Sequence, residues 1–369
     1  MAAETAGAAA SLTGQPMPVF AWSDGHVSSA VGEVPRARTA LALEDRLGAL
    51  KVRWNIGRTS YRVPPGLYAV GAPNDHAPVL VSANYKLSFD HLRRALSGMD
   101  AWILVLDTKG INVWCAAGKG TFGTDEIVRQ VKACALEQVV SHRKIIVPQL
   151  GAPGVCAHEV QERCGFRVEY GPVRAEDLPA FLSAQLKATP EMRRIRFGVG
   201  ERFVLIPVEL VLGAKKALVI AAAFVLVGGL SVTGYSMASV RTHGLTSAAL
   251  GLGAYLGACI LGPLLLPWLP GRPFALKGVA LGLLMVASVL VAGWPGPGLF
   301  GSWLHAVSWA LMIPAIASFV LMNFTGASTF TSLSGVLREM RFAVPAQIAT
   351  AALGVVLWVV GLFVAGGHS

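Results

Sequence analysis

Two patterns of apolar and polar positions divide this chain. From Leu67 to Leu186 short β-like apolar runs alternate with amphipathic stretches, and beyond Lys216 the apolar runs become long enough to cross a bilayer. In the first part, Leu67–Val70 and Val79–Ser82 read as strands, and Phe89–Leu96 as a helix ended by Gly98. Ala101–Leu106 is continuously apolar, as expected of a strand covered on both faces. A helix over Thr124–Ser141, a strand at Lys144–Val147, a helix over Cys156–Cys164, a strand at Phe166–Tyr170 and a helix over Ala175–Leu186 complete the series. This repetition predicts a Rossmann-like α/β domain with a mostly parallel sheet over residues 61–187. Residues 1–60 offer no pattern and read as a lead, with Met1 to Gly14 rich in Ala and Gly and lacking the basic start and apolar core of a signal peptide. Residues 188–216 read as a basic, amphipathic juxtamembrane linker.

Five segments of residues 217–365 suit spanning helices: 217–239, 246–268, 274–294, 302–323 and 343–365. Breaker-rich connectors separate them, as in Pro267 to Pro273 and Gly293 to Gly298. The expected architecture is therefore an α/β domain followed by an all-α membrane domain of five helices.

Charge sharpens this division. Only 14% of residues are charged, against about 25% in soluble domains. Up to Lys216 there are 26 basic and 20 acidic residues, and beyond it five basic and one acidic. Basic residues precede the first span (Arg196, Arg202, Lys215, Lys216), separate the second and third (Arg272, Lys277) and precede the fifth (Arg338, Arg341). The loops at the other ends hold only Arg241. This asymmetry predicts a head on the cytoplasmic side of the inner membrane and a C-terminus outside. His305 and the polar stretch Asn323 to Ser334 are the membrane part's candidates for chemistry, and the part as a whole reads as an anchor and docking surface. The basic residues are spread without aromatic interleaving, which argues against a nucleic-acid partner.

Five cysteines (115, 134, 156, 164, 259) form no C-x-x-C pair, so the pattern supports neither a disulfide framework nor a cluster site built by this chain alone. Cys134, Cys156 and Cys164 fall in helical patterns and read as core. Cys115 differs. It lies in Asn112-Val113-Trp114-Cys115-Ala116-Ala117-Gly118-Lys119-Gly120, after a buried strand and before a helix, where α/β sheets bind ligands. Backbone N–H groups of a first helical turn, together with Lys119, would favour its thiolate. Thr121 and Thr124 are candidates for helix capping.

Rival motifs are weaker. Gly118-x-Gly120-x-x-Gly123 has the glycine spacing of a dinucleotide fingerprint, yet the next strand ends Ile146-Val147-Pro148-Gln149 without the ribose-binding acid. The P-loop pattern fails because Val113 stands where its first glycine is needed and Gly120 where Ser or Thr is. Asp24-Gly25-His26-Val27-Ser28-Ser29 misses the glycine of the D-x-H-x-x-G corrinoid pattern. A membrane-tethered nucleotide-binding redox or sensor module stays open as the alternative.

The run Asn112 to Lys119, with its extension Gly120-Thr121-Phe122-Gly123-Thr124, closely resembles the cap-helix motif of the membrane-anchored corrinoid protein family of microbial mercury methylation, whose corrinoid domain is related to the corrinoid iron–sulfur protein. The resemblance covers residues from about 60 to 365. It implies a Rossmann-like corrinoid domain joined to five spanning helices, with methyl transfer from a cobalamin-type methylcorrinoid to inorganic Hg(II). It makes Cys115 the catalytic residue and the lower axial cobalt ligand. Asn112, Val113, Trp114, Cys115, Ala116, Ala117, Gly118, Lys119, Gly120 and Thr121 would line the cofactor. The implied partners are a small ferredoxin-like protein with two [4Fe–4S] clusters, which returns electrons to cobalt, and a methyltransferase that brings a methyl-folate-type donor.

Overall fold

A computed structural model describes residues 20–324 and 333–364. The chain forms two compact units, Met1–Ile195 and Arg196–Ser369.

The first unit is a mixed α/β domain built on a seven-stranded sheet. Its elements are β1 (Ser23–Ser29), β2 (Gly32–Ala37), α1 (Leu43–Arg53), β3 (Gly66–Val70), β4 (Val79–Ala83), α2 (Lys86–Ala95), β5 (Ala101–Leu106), α3 (Val113–Gly118), α4 (Thr124–Ala133), α5 (Leu136–Val139), β6 (Lys144–Val147), α6 (Ala157–Cys164), β7 (Arg167–Tyr170) and α7 (Leu178–Ser183). The strand order is β1-β2-β3-β5-β4-β6-β7. Strands β4 to β7 are parallel, as the alternation of strand and helix predicts. Strand β3 departs from that expectation and pairs antiparallel with β5. Its connection to β4, Gly71 to Pro78, is shorter than the dozen or so residues a parallel crossover needs.

Strand β5 shows why its sequence is apolar throughout. Trp102, Leu104 and Leu106 enter one core with Phe122, Ile127 and Val131, whereas Ala101, Ile103 and Val105 enter a second with Phe89, Leu92 and Phe181. Two helical expectations are shortened. The helix expected over Thr124–Ser141 breaks at Ala135, which has φ 43° and separates α4 from α5. The one expected over Ala175–Leu186 reduces to a 3-10 turn at Ala175–Asp177 followed by α7.

Residues 20–60 carry structure that their sequence did not announce. Strands β1 and β2 form an antiparallel hairpin at the sheet edge, and β2 pairs parallel with β3. Helix α1 is held by a buried ion cluster. Lys86 Nζ lies 2.6 Å from Asp45 and 2.8 Å from Asp90, and Arg93 Nη2 lies 2.8 and 2.7 Å from the same two carboxylates. Arg93 also donates to the backbone carbonyls of Arg38 and Ala40, tying in the approach to α1. Two cations and two anions balance, so no charge is buried unpaired. Burial alone would raise the Asp45 pKa, but hydrogen bonds from Lys86, Arg93 and the Ala42 N–H overcome it and hold the carboxyl at about 2.

The second unit contains five helices long and apolar enough to cross a membrane. After α8 (Val199–Phe203) come α9 (Ile206–Val227), a short β8–β9 hairpin (Leu230–Ser231, Gly234–Tyr235), α10 (Met237–Ser239), a π-helical turn at Val240–Gly244 and α11 (Leu245–Leu265). Helices α12 (Phe274–Gly293), α13 (Trp303–Phe324) and α14 (Leu333–Val364) complete the unit. The first apolar helix begins earlier than residue 217 and ends by Val227, so much of the expected basic linker is helical; the last begins before residue 343. Close packing relies on small residues: a Cβ on Gly278 would collide with the Ala317–Ser318 backbone, and one on Gly282 with Pro314.

Polar groups at one end of this unit finish helices. Arg202 donates to the carbonyls of Pro263 and Leu264 (3.1 and 2.7 Å), and Lys277 to those of Leu266 and Leu269 (2.9 and 2.5 Å). Glu339 accepts from the Ala275 N–H at the start of α12 (2.6 Å). At the other end His305 is buried, takes part in a 3.0 Å hydrogen bond with Ser302 through Nδ1, and has its ring centroid 5.3 Å from that of His243. The polar stretch Asn323 to Ser334 lies mostly outside the described residues.

The ion cluster makes stability depend on pH with a definite sign. A carboxyl held below its unfolded pKa contributes stability above that value and loses it as the carboxyl protonates. Hydrogen exchange at α2 amides is therefore expected to accelerate as pH falls from about 4 toward about 2, beyond the intrinsic pH effect measured on an unfolded peptide. Asp90→Ala, which leaves Asp45 as the one carboxylate facing both Lys86 and Arg93, should cost about 3 kcal/mol of local stability in the same measurement at neutral pH.

Candidate functional site

The strand order turns between β4 and β6: the chain goes from β4 to its neighbour β5, then back across β4 to β6. Such a switch point opens a crevice at the carboxyl ends of the strands. Helix α3 sits there, supplied by the loop after β5 and packed on a 3-10 turn, Gln149–Gly154, that follows β6.

The loop is fixed from β4. Asn84, just beyond that strand, is almost completely buried. Its Oδ1 accepts from the N–H groups of Thr108 (3.1 Å) and Gly110 (2.9 Å), and its Nδ2 donates to Asp107 (3.1 Å). The Thr108 hydroxyl lies 2.6 Å from the Ile111 carbonyl and 2.8 Å from Asn84 Oδ1, with one proton to give. Glu126 of α4 accepts the Asp107 N–H (2.7 Å). Burial would raise the Asp107 pKa, but hydrogen bonds from the Lys109 side chain and backbone keep it below the usual carboxylate range. Lys109 and Gly110 turn the chain through positive φ (59° and 73°) into α3.

Helix α3 starts at its N-cap, Asn112, whose side chain accepts the Cys115 N–H at 2.9 Å. Cys115 is thus the third residue of the helix, and that N–H serves the cap rather than the thiol. Val113, Trp114 and Cys115 are half-buried. Ala116 and Ala117 are buried and belong to the core, so these small residues serve close packing within the protein. A Cβ on Gly154 would strike the Phe122 carbonyl and come within 3.1 Å of Ala117 Cα; one on Gly123 would lie 3.2 Å from the carbonyls of Gly120 and Gly154. Gly118, Lys119 and Gly120 are exposed instead, and a Cβ on either glycine would meet nothing within 4 Å. Gly120 also needs its glycine for conformation, at φ 79°. Thr121 lies against the Ala116 carbonyl (3.5 Å). The N-cap of α4 is Gly123 rather than either expected threonine, and the Thr124 hydroxyl accepts the Cys156 N–H (2.8 Å).

The other cysteines separate from Cys115. Cys134 is buried, and burial pushes its thiol pKa up to about 12. Cys164 is half-buried and donates to the Val160 carbonyl (3.1 Å). Cys156 was expected in the core but is exposed, because it is the N-cap of α6 and not an interior residue. His26 lies on edge strand β1. Sequence reasoning overlooked Asn84, Thr108 and Gly154; a polar residue ending the apolar run Val79–Ala83 was the available signal for the first.

With this geometry in place, comparison with known proteins defines the class of the domain. Residues 38–182 match the family "CO dehydrogenase/acetyl-CoA synthase delta subunit". More particularly, the chain is 30% identical over 130 residues to an acetyl-CoA decarbonylase/synthase complex subunit gamma of Methanopyrus kandleri, covering 35% of this chain and 28% of the relative. It is also 30% identical over 127 residues to the corrinoid/iron–sulfur protein large subunit of Moorella thermoacetica, covering 34% and 28% respectively. The matched part thus spans less than a third of these relatives' own length. The first unit is therefore an α/β domain related to corrinoid/iron–sulfur protein subunits, here followed by five candidate spanning helices.

The cap and the clamp should differ in cost. Asn112→Ala frees one N–H and is expected to cost about 1 kcal/mol. Asn84→Ala leaves several buried partners unsatisfied and should cost about 3 kcal/mol. Both are read as opening free energies from hydrogen exchange over residues 107–118.

Proposed function

We propose that this protein carries out corrinoid-dependent methyl transfer to inorganic Hg(II), forming methylmercury, as a member of the membrane-anchored corrinoid family of mercury methylation. The observation that carries the reading is Cys115, presented half-exposed on α3 at the switch point, beside the open backbone of Gly118 and Gly120. The relatives that match the same domain include a corrinoid/iron–sulfur protein subunit, which supports a corrinoid as the ligand.

The residues fit such a group. Cys115 would supply a sulfur donor, and the exposed backbone at Gly118 and Gly120, where an added Cβ would meet nothing within 4 Å, would leave that surface open to a broad macrocycle. A methylcorrinoid, if bound, would supply the methyl group, and Cys115 would hold it through a sulfur donor whose electron density suits transfer to a soft electrophile such as Hg(II). Asn112 positions Cys115 by capping α3. Ala116 and Ala117 anchor the helix in the core, while Trp114, half-buried, precedes Cys115 on it. Lys119, exposed at the C-cap, offers positive charge to the cofactor's polar side chains. Thr121 and Val113 complete the cofactor-facing set.

Reducing electrons are assigned to a small ferredoxin-like partner with two [4Fe–4S] clusters, and methyl supply to a methyltransferase with a methyl-folate-type donor. The distribution of basic residues supports a cytoplasmic head, an inner-membrane location and an external C-terminus.

The deciding experiment reconstitutes the full-length chain with cobalamin and compares visible spectra. Wild type should show a shift that Cys115→Ala abolishes. Gly118→Leu should leave the far-UV circular dichroism unchanged, because no protein atom opposes the added carbon, yet lower cobalamin uptake about tenfold or more by filling the open face. Absence of corrinoid binding by wild type would return the nucleotide-binding redox module to the front.

A further inference from the structure

Helix α1 is amphipathic in the reverse sense. Its inward face carries Asp45, held in the ion cluster with Lys86, Asp90 and Arg93, together with Val52. Its outward face carries Leu43, Leu47, Leu50 and Trp54, at spacings of four, three and four, which fall in one stripe. These side chains are 71, 47, 53 and 42% exposed, and Ile56 just beyond is 61% exposed. Scattered apolar residues on a surface are ordinary, but a contiguous row of this kind marks an interaction face. On the helical wheel Arg46 and Arg53 flank the stripe on one side and Lys51 on the other, where Glu44 is the only acid.

We propose that this face docks on the bilayer surface, with the leucines and Trp54 at the acyl boundary and Arg46, Lys51 and Arg53 on anionic lipid headgroups. An apolar stripe ending in tryptophan and bordered by arginine and lysine is the composition of an interfacial helix. The borders complement the negative charge of the cytoplasmic leaflet. The same chain carries five helices long and apolar enough to cross a membrane. The segment after α1 leads to the functional site: a Cβ on Gly110, in the loop that supplies α3, would lie 3.1 Å from the Thr59 carbonyl. The proposal rests on a head facing the anionic leaflet and not on what Cys115 binds, so its failure would leave the corrinoid reading untouched.

The test uses the full-length chain in nanodiscs whose lipids carry plain or brominated acyl chains, with Trp54 emission obtained by subtracting the spectrum of Trp54→Phe. In discs containing anionic lipid, bromination should quench the Trp54 component by roughly half or more. Leu47→Glu with Leu50→Glu, both at exposed positions, should abolish the quenching without changing the circular dichroism. Arg46→Glu with Lys51→Glu should weaken it, as should replacing anionic by zwitterionic lipid. Equal Trp54 emission in plain and brominated discs would overturn the proposal. So would quenching indifferent to the double glutamate variant, or a Trp54 change that appears only when a soluble partner protein is added.

Discussion

A helix of six residues has no stability of its own in water, because its nucleation cost is never recovered by its few hydrogen bonds. Helix α3 exists because its backbone lies against another backbone. Gly154 carries no side chain where one would collide, Gly123 none where one would crowd the backbone, Ala117 is small enough to enter the seam, and Phe122 closes the core beneath. Cys115 is placed by this contact, and the position of the glycines on the opposite side follows from it. Two classes of small residue thus sit side by side in one motif. Those facing inward bring protein to protein, and those facing outward leave a surface bare.

The clamp beneath the helix works through desolvation. Asn84 is buried, so the Thr108 and Gly110 N–H groups that it satisfies have no water to turn to, and opening the loop would forfeit each of those bonds. The ion cluster on the far side follows the same logic with full charges: Asp45, Lys86, Asp90 and Arg93 are tolerated inside because each has its counter-charge within hydrogen-bonding distance. It also explains how α1 can point leucines at solvent, since its inward face is held by charge rather than by apolar burial.

The two units are held together by different kinds of packing. In the α/β unit, burial on both faces of β5 makes a continuous apolar strand. In the helical unit, whose helices are long and apolar enough to cross a membrane, small residues such as Gly278 and Gly282 allow backbones to touch, and Arg202, Lys277 and Glu339 satisfy backbone groups at helix ends. The comparisons concern only the first unit, matched over residues 38–182.

Local pattern determined a good deal. Period and run length located β4 to β7 and the five long apolar helices, because those signals are set by which faces are covered and by bilayer thickness. The run Asn112 to Gly120 was legible as a turn into a helix after a buried strand, and its cap is local chemistry. The edge hairpin was not legible, because an edge strand need not alternate or be apolar. The direction of β3, the roles of Asn84 and Gly154, and the division of the motif's small residues into buried alanines and open glycines were decided by tertiary structure. Each depends on which segment, distant in sequence, lies opposite, and a pattern along one chain carries no record of that distance.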